Sequence, residues 1–270
     1  MTVVTSQPPQ PIHRSALGYA LADAKVMTKR HVIHTIRIPD LLVGSTIQPI
    51  MFVLLFRYVF GGEIHVPGYT YVNFLMAGIF VQTVMFGSLA TGIGLAADLD
   101  KGVIDRFRSL PMSPSAVLTG KTIADMMRNT LTIVVMLIVG VLVGFRPLGN
   151  PLNWVGAILL MMAFGYTMSW ISAIVGTVCK TVEATQQLSF IAVFPLTFAA
   201  STFVPTANMP GWLQAFANNQ PVTHVIDASR ALLNDKPVGN HLLLSVMWTV
   251  GLLVVFVPLA VRLYQRSASR

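Results

Sequence analysis

Three groupings in this 270-residue chain set reactive side chains close enough to act together. His31 and His34 stand three residues apart, so a helix would carry both imidazoles on one side, as two ligands of a metal ion require. No third ligand type lies nearby, and no metal is expected. His224, Asp227 and Ser229 have the residue types of a hydrolase set. A nucleophilic triad must converge beside a prepared oxyanion site, and residues this close on one helix seldom do, so catalysis is not expected. Asp227 and Arg230 have i,i+3 spacing, which suits an ion pair across one helical turn. The phosphate-binding pattern G-x-x-x-x-G-K-[ST] is absent from the sequence, so this chain is expected to bind neither ATP nor Mg and to carry no cofactor. Cys179, the single cysteine, excludes an internal disulfide and a cysteine-based cluster.

The composition says what must hold these residues. Hydrophobic residues make up 54% and charged residues 10%, with mean hydropathy +0.69. Soluble domains carry about 25% charged residues. Six membrane spans of ~20 residues would use roughly 120 positions, just under half the chain. A soluble globular enzyme and a disordered protein are excluded, and little room is left for a folded extramembrane domain. The net charge of +8 would point to nucleic acid in a soluble chain. In a membrane chain it reads instead as the basic bias of cytoplasmic segments, and no nucleic-acid partner is expected.

Apolar runs occur at 41–60, 71–97, 131–145 (starting amphipathically near 115), 152–178, 188–204 and 241–263. Together they predict an all-α polytopic protein with six transmembrane helices. The organisation is a cytoplasmic N-terminal arm at 1–40, a transmembrane domain at 41–263 and a cytoplasmic tail at 264–270. Residues 1–11 are polar and proline-rich and no apolar run precedes Leu41, so no cleavable leader is expected. With the N-terminus inside, fourteen of the Lys and Arg residues fall in cytoplasmic segments and four (Arg57, Arg146, Arg230, Lys236) in outer ones. The positive-inside rule then places both termini in the cytoplasm.

Between and beside the spans lie three segments of interest. His13 to Asp40 puts Leu17, Leu21, Ala24, Thr28, His31 and Thr35 on one helical stripe edged by Lys25, Lys29 and Arg30, as in an amphipathic helix lying on the inner membrane surface. The loop 98–114 predicts a short helix with Val103, Ile104, Phe107 and Leu110 on an apolar stripe. Such a helix suits either docking into a groove on a soluble partner or packing on its own protein. The segment 205–235 predicts two short helical pieces broken near Asn218 to Pro221. Within the spans, polar residues such as Gln48, Asn73, Gln82, Thr83 and Ser88 are uncharged, and the span centres lack carboxylates for a proton relay. Asp125 and Arg128 sit at the inner end of the third. Ser88, Gly92, Ala96 and Gly165, Ser169, Ala173 repeat at four-residue spacing, which serves close helix packing.

GVIDRFRSLPMSP, following a span that ends GIGLAADLD, resembles the membrane subunit of the ABC-2 type exporter family. NMPGWLQAFANNQPVTHVIDASRALL, between the fifth and sixth spans, resembles the same family's signature, and the order of spans agrees over nearly the whole chain. Similarity is greatest to the daunorubicin-resistance permease subgroup. This resemblance implies that the loop 98–114, with Ile104, Asp105, Arg106, Phe107, Arg108 and Leu110, is a coupling helix against a separate ATPase subunit, which binds ATP and Mg. It implies two membrane subunits, a homodimer or a pair with a related permease. It also implies a re-entrant helical pair at 205–235 carrying Trp212, Asp227 and Arg230. The second and fifth spans would line the translocation cavity, with Gln82, Phe86, Phe190, Phe194 and Phe198 on the cargo path. The implied function is export of a lipophilic or amphiphilic drug or lipid across the plasma (inner) membrane. Export of polysaccharide or a lipid-linked glycan is the alternative, and an integral-membrane lipid-modifying enzyme is a third reading.

Overall fold

A computed structural model describes residues 39–101 and 114–267, with side chains at 44–101 and 118–266. The expected N-terminal amphipathic helix and the six coupling residues from Ile104 to Leu110 lie outside the described residues. Among those described, all regular structure is helical, in eight α-helices. They are α1 (Pro39–Leu54), α2 (Tyr71–Asp100), α3 (Pro114–Val143), α4 (Pro151–Val178), α5 (Val182–Phe198), α6 (Gly211–Asn219), α7 (Pro221–Leu233) and α8 (His241–Ser267). Stretches of α2, α3, α4 and α8 are long and apolar enough to cross a bilayer. α1 contains Pro49 and passes into a π-helical turn at Leu55–Phe60. Proline removes a backbone donor, a break tolerated in membrane helices where neighbours re-satisfy the freed groups.

Start and stop signals explain the boundaries. The Asn150 side chain accepts from the Asn153 amide (2.8 Å), and Pro151 supplies a first residue that needs no N–H donor. The fifth apolar run begins at Leu188, but α5 begins six residues earlier, where the Thr181 hydroxyl caps the Ala184 amide (3.1 Å). It also ends at Phe198 rather than running on to Val204. The Thr202 hydroxyl donates back to the Thr197 carbonyl (2.6 Å), so the chain folds over instead of extending the helix.

α2 is the central element. From Tyr71 to Met85 every residue is buried, against α3, α4, α5 and α7. Its tightest neighbour is α4. The Gly92 amide donates to the Ser172 hydroxyl (3.1 Å), which donates in turn to the Leu89 carbonyl (3.2 Å). A Cβ built on Gly176 would fall on the Gly92 backbone, and one built on Gly78 would fall on the Thr202 backbone. The small-residue rows therefore bring helix backbones into contact, with Ser172 and Gly176 as additional members. At the other end of α2, the Asn73 amide exchanges two hydrogen bonds with the backbone of Arg146 (2.9 and 3.0 Å), tying α2 to the α3–α4 connection. α8 leaves Leu243, Val246, Met247, Val250, Val254 and Val255 exposed. In a bilayer such an apolar exterior is solvated by acyl chains.

Candidate functional site

α1, α2, α3 and α5 line an open-sided cavity of about 340 Å³, within the range of small-molecule pockets. Gln48 and Phe52 come from α1, Gln82, Phe86 and Gly87 from α2, Arg128 from α3, and Gln186 and Phe190 from α5. Helical spacing explains the set. Gln82 and Phe86 are four residues apart on α2, as are Gln186 and Phe190 on α5, so each helix presents one amide and one phenyl ring on the same face.

The aromatic side continues beyond the cavity. Phe86 meets Phe190 at 5.8 Å between ring centroids, Phe190 meets Phe194 at 5.3 Å, and Phe194 stacks on Phe198 at 4.1 Å. Phe198 then packs on Phe52 (5.7 Å) and Phe203 (5.0 Å). Of the five residues assigned to the cargo path, Gln82, Phe86 and Phe190 line the cavity. Phe194 and Phe198 are absent from its wall and extend the aromatic row away from it.

The polar side is built from α3 outwards. Arg128 pairs with Asp125 one turn earlier (3.1 Å), and its Nη2 donates to the Gly87 carbonyl of α2 (2.8 Å). Asp125 also accepts from the Thr91 hydroxyl (2.5 Å), and Lys121 pairs with Asp98 (3.3 Å). Lys121, Asp125 and Arg128 thus form a charged stripe on α3. On α2, Gly94 leaves room for Lys121, since a Cβ there would come within 2.5 Å of the ammonium, and Gly87 leaves room for the neighbouring Asn129 side chain. Gln82 is 3% exposed, and neither of its amide atoms has a hydrogen-bond partner within the chain. The sequence reading missed Arg128 and Gln186 as wall residues. Opposite charges three residues apart at the inner end of the third span were the available signal for Arg128.

Asp227 and Arg230 form a separate cluster. Arg230 is 4% exposed. Its Nη1 meets Asp227 at 2.5 Å, Nη2 donates to the Ser201 carbonyl (2.5 Å), Nε donates to the Phe74 carbonyl (3.1 Å), and the guanidinium lies 3.6 Å from the Phe74 ring centroid. The Ser201 hydroxyl also donates to Asp227 (2.7 Å). Nearby, burial pushes the Tyr69 phenol up from its usual range, while Arg230 pulls it partly back. Trp212, the third residue assigned to this segment, is exposed on α6 and belongs to neither cluster. His224, Asp227 and Ser229 do not converge. His224 faces His241 (3.4 Å between Nδ1 atoms), Asp227 is engaged by Arg230, and the buried Ser229 hydroxyl has no partner within the chain.

The profile of the family described as ABC-2 type transporter matches residues 23–234. Daunorubicin resistance ABC transporter permease protein DrrB1 of Streptomyces coeruleorubidus is 37% identical over 229 residues, covering 85% of this chain and 81% of that protein. Probable doxorubicin resistance ABC transporter permease protein DrrC of Mycobacterium tuberculosis is 27% identical over 268 residues, covering 96% and 94%. Putative transport permease ycf38 of Pyropia yezoensis is 26% identical over 220 residues, covering 78% and 74%.

Proposed function

The chain belongs to the ABC-2 type transporter family, and from that membership we propose that it is the permease subunit of an exporter whose cargo passes through the cavity between α1, α2, α3 and α5. As a permease subunit of an ABC exporter the chain forms the membrane path, and ATP and Mg are held by a separate ATP-binding subunit. The cargo is a lipophilic or amphiphilic compound of the drug or lipid kind, a reading supported by relatives named for resistance to daunorubicin and doxorubicin. The observation that carries it is the cavity wall, where Phe52, Phe86 and Phe190 set large apolar surfaces beside a few amides. Polarizable rings with few hydrogen-bonding groups suit a lipophilic body better than a glycan.

In this reading α1 and α5 complete six spans, and α6 and α7 form the re-entrant pair. The loop containing Ile104 to Leu110 meets the ATPase, two permease subunits work together, and both termini face the cytoplasm from the plasma (inner) membrane. The arrangement is supported by the order of the helices and the basic bias of the inner segments. In a Cys179→Ser background, Lys101→Cys and Trp212→Cys are expected to react with a membrane-impermeant maleimide from opposite sides. Labelling of both from outside intact cells would overturn the topology.

Substrate profiles test the cavity itself. Phe86→Ser and Phe190→Ser each remove a ring from the wall and are expected to shift export selectively among several lipophilic compounds, at near-normal amounts of protein in the membrane. Phe194→Ser removes a ring that stacks outside the wall and is expected to depress all compounds alike, with reduced abundance. A uniform response from all three variants would remove the cavity from the cargo path.

A further inference from the structure

We propose that His224 of α7 and His241 of α8 form a two-histidine site for a divalent transition ion of the zinc type, which fastens the two helices together. Neither residue belongs to the cavity wall between α1, α2, α3 and α5, so the site stands whether or not that cavity carries cargo. The pair is invisible in the sequence, because its members are 17 positions apart. His224 lies in the first turn of α7 and His241 is the first residue of α8, and the connection at 234–240 brings the second helix start back beside the first.

The two Nδ1 atoms are 3.4 Å apart and the ring centroids 5.6 Å apart, so the rings meet by their nitrogen edges rather than their faces. A hydrogen bond between them would draw the nitrogens to about 2.7–3.2 Å. Two nitrogens bound at about 2.0–2.1 Å to a tetrahedral Zn²⁺ stand roughly 3.3–3.4 Å from each other, by those bond lengths and the tetrahedral angle. The observed separation fits the second case. Imidazole nitrogen is also the ligand that Zn²⁺, Ni²⁺ and Cu²⁺ favour. His241 is exposed and gives an ion access, while the buried His224 fixes one ligand in place. A cavity of about 220 Å³ beside His241 has room for the water ligands that complete the coordination. Asp227, one turn beyond His224, is engaged by Arg230 and Ser201, and among the described residues no third His, Cys, Asp or Glu completes a cluster. The chain thus supplies two ligands and water the others, which makes this an open site rather than a closed structural one.

The test titrates Zn²⁺ into the full-length chain in mild detergent, purified without a polyhistidine tag and stripped with a chelator. The background carries His31→Gln, His34→Gln and Cys179→Ser, which removes the other closely spaced histidines and the thiol. Calorimetry is expected to show saturable binding of one ion per chain, and the thermal unfolding midpoint is expected to rise with zinc concentration, because the ion binds only where folding brings the rings together. His224→Gln and His241→Gln are each expected to weaken binding by at least about tenfold and to remove the zinc-dependent rise. His65→Gln, in the exposed loop before α2, leaves both unchanged. If His224→Gln does not yield monodisperse protein, His241→Gln, at an exposed helix start, decides. Absence of stoichiometric binding would overturn the proposal, as would binding that persists in both histidine variants. Variants that lower the midpoint without zinc yet keep the zinc-dependent rise would make the pair a hydrogen bond between helices and equally overturn it.

Discussion

Replacement of Arg230 by methionine is expected to remove about 3–5 kcal/mol of stability, the usual cost of breaking a buried ion pair from one side. The guanidinium holds three segments at once. It bonds Asp227 on its own helix, the Ser201 carbonyl in the turn after α5 and the Phe74 carbonyl at the start of α2, and it packs face-on against the Phe74 ring. Methionine fills much of the same volume but leaves the Asp227 carboxylate without its counter-charge. Arg230→Lys keeps the charge yet has a single nitrogen where the planar fork reaches three acceptors, so an intermediate loss is expected. The double variant Asp227→Asn with Arg230→Met is expected to recover part of the loss, because the orphaned carboxylate is gone. The measurements are the yield of monodisperse protein in mild detergent and its thermal unfolding midpoint. Wild-type behaviour of Arg230→Met would show that the clamp contributes nothing to the fold.

The same cluster shows where a linear sequence stops being informative. The i,i+3 spacing of Asp227 and Arg230 was legible as an ion pair, and the pair is present. What the spacing could not carry is that the remaining donors reach Phe74 and Ser201, which are remote in sequence. Arg128 repeats the lesson. The sequence places it beside Asp125 at the inner end of the third span, and only the fold shows its Nη2 crossing to Gly87 and its place in the cavity wall.

Hydropathy located the long helices well, because α2, α4 and α8 are apolar almost from end to end. It failed at α5 for a physical reason. An apolar scale reports transfer preference, whereas a helix begins where its amides are capped, here at Thr181. The polar stretch before Leu188 falls outside the fifth apolar run, although Thr185 is fully buried and Gln186 lines the cavity. Polar residues on an inward face of a membrane helix look like loop residues to any method that averages polarity. The aromatic wall residues came from family resemblance, since a phenylalanine facing lipid and one facing a cavity are indistinguishable by type.

Gly176→Val is expected to be the most damaging single substitution in the α2–α4 contact. Gly176 is buried on α4, and the first side-chain atom of any other residue would land on the backbone of Gly92, which cannot rotate away as a side chain can. Gly92 meets the Ser172 backbone in the same manner from the opposite side. Accommodating valine requires the two helices to separate, which breaks the Gly92 to Ser172 hydrogen bond and opens the packing along both. Overpacking costs about 1–3 kcal/mol where a core can adjust, and this site, with backbone on both sides, belongs at or above the upper end. Gly176→Ala should already be destabilising. Gly251 provides the control. It sits in α8 with nothing within 4 Å of its added Cβ, so Gly251→Ala is expected to be neutral or to stabilise by up to about 1 kcal/mol, the ordinary helix preference for alanine over glycine. Thermal unfolding of the three variants side by side, in one detergent, separates helix propensity from backbone contact. Equal midpoints for Gly176→Ala and Gly251→Ala would mean that α2 and α4 do not approach at Gly92, and the arrangement of the wall helices around α2 would have to be redrawn.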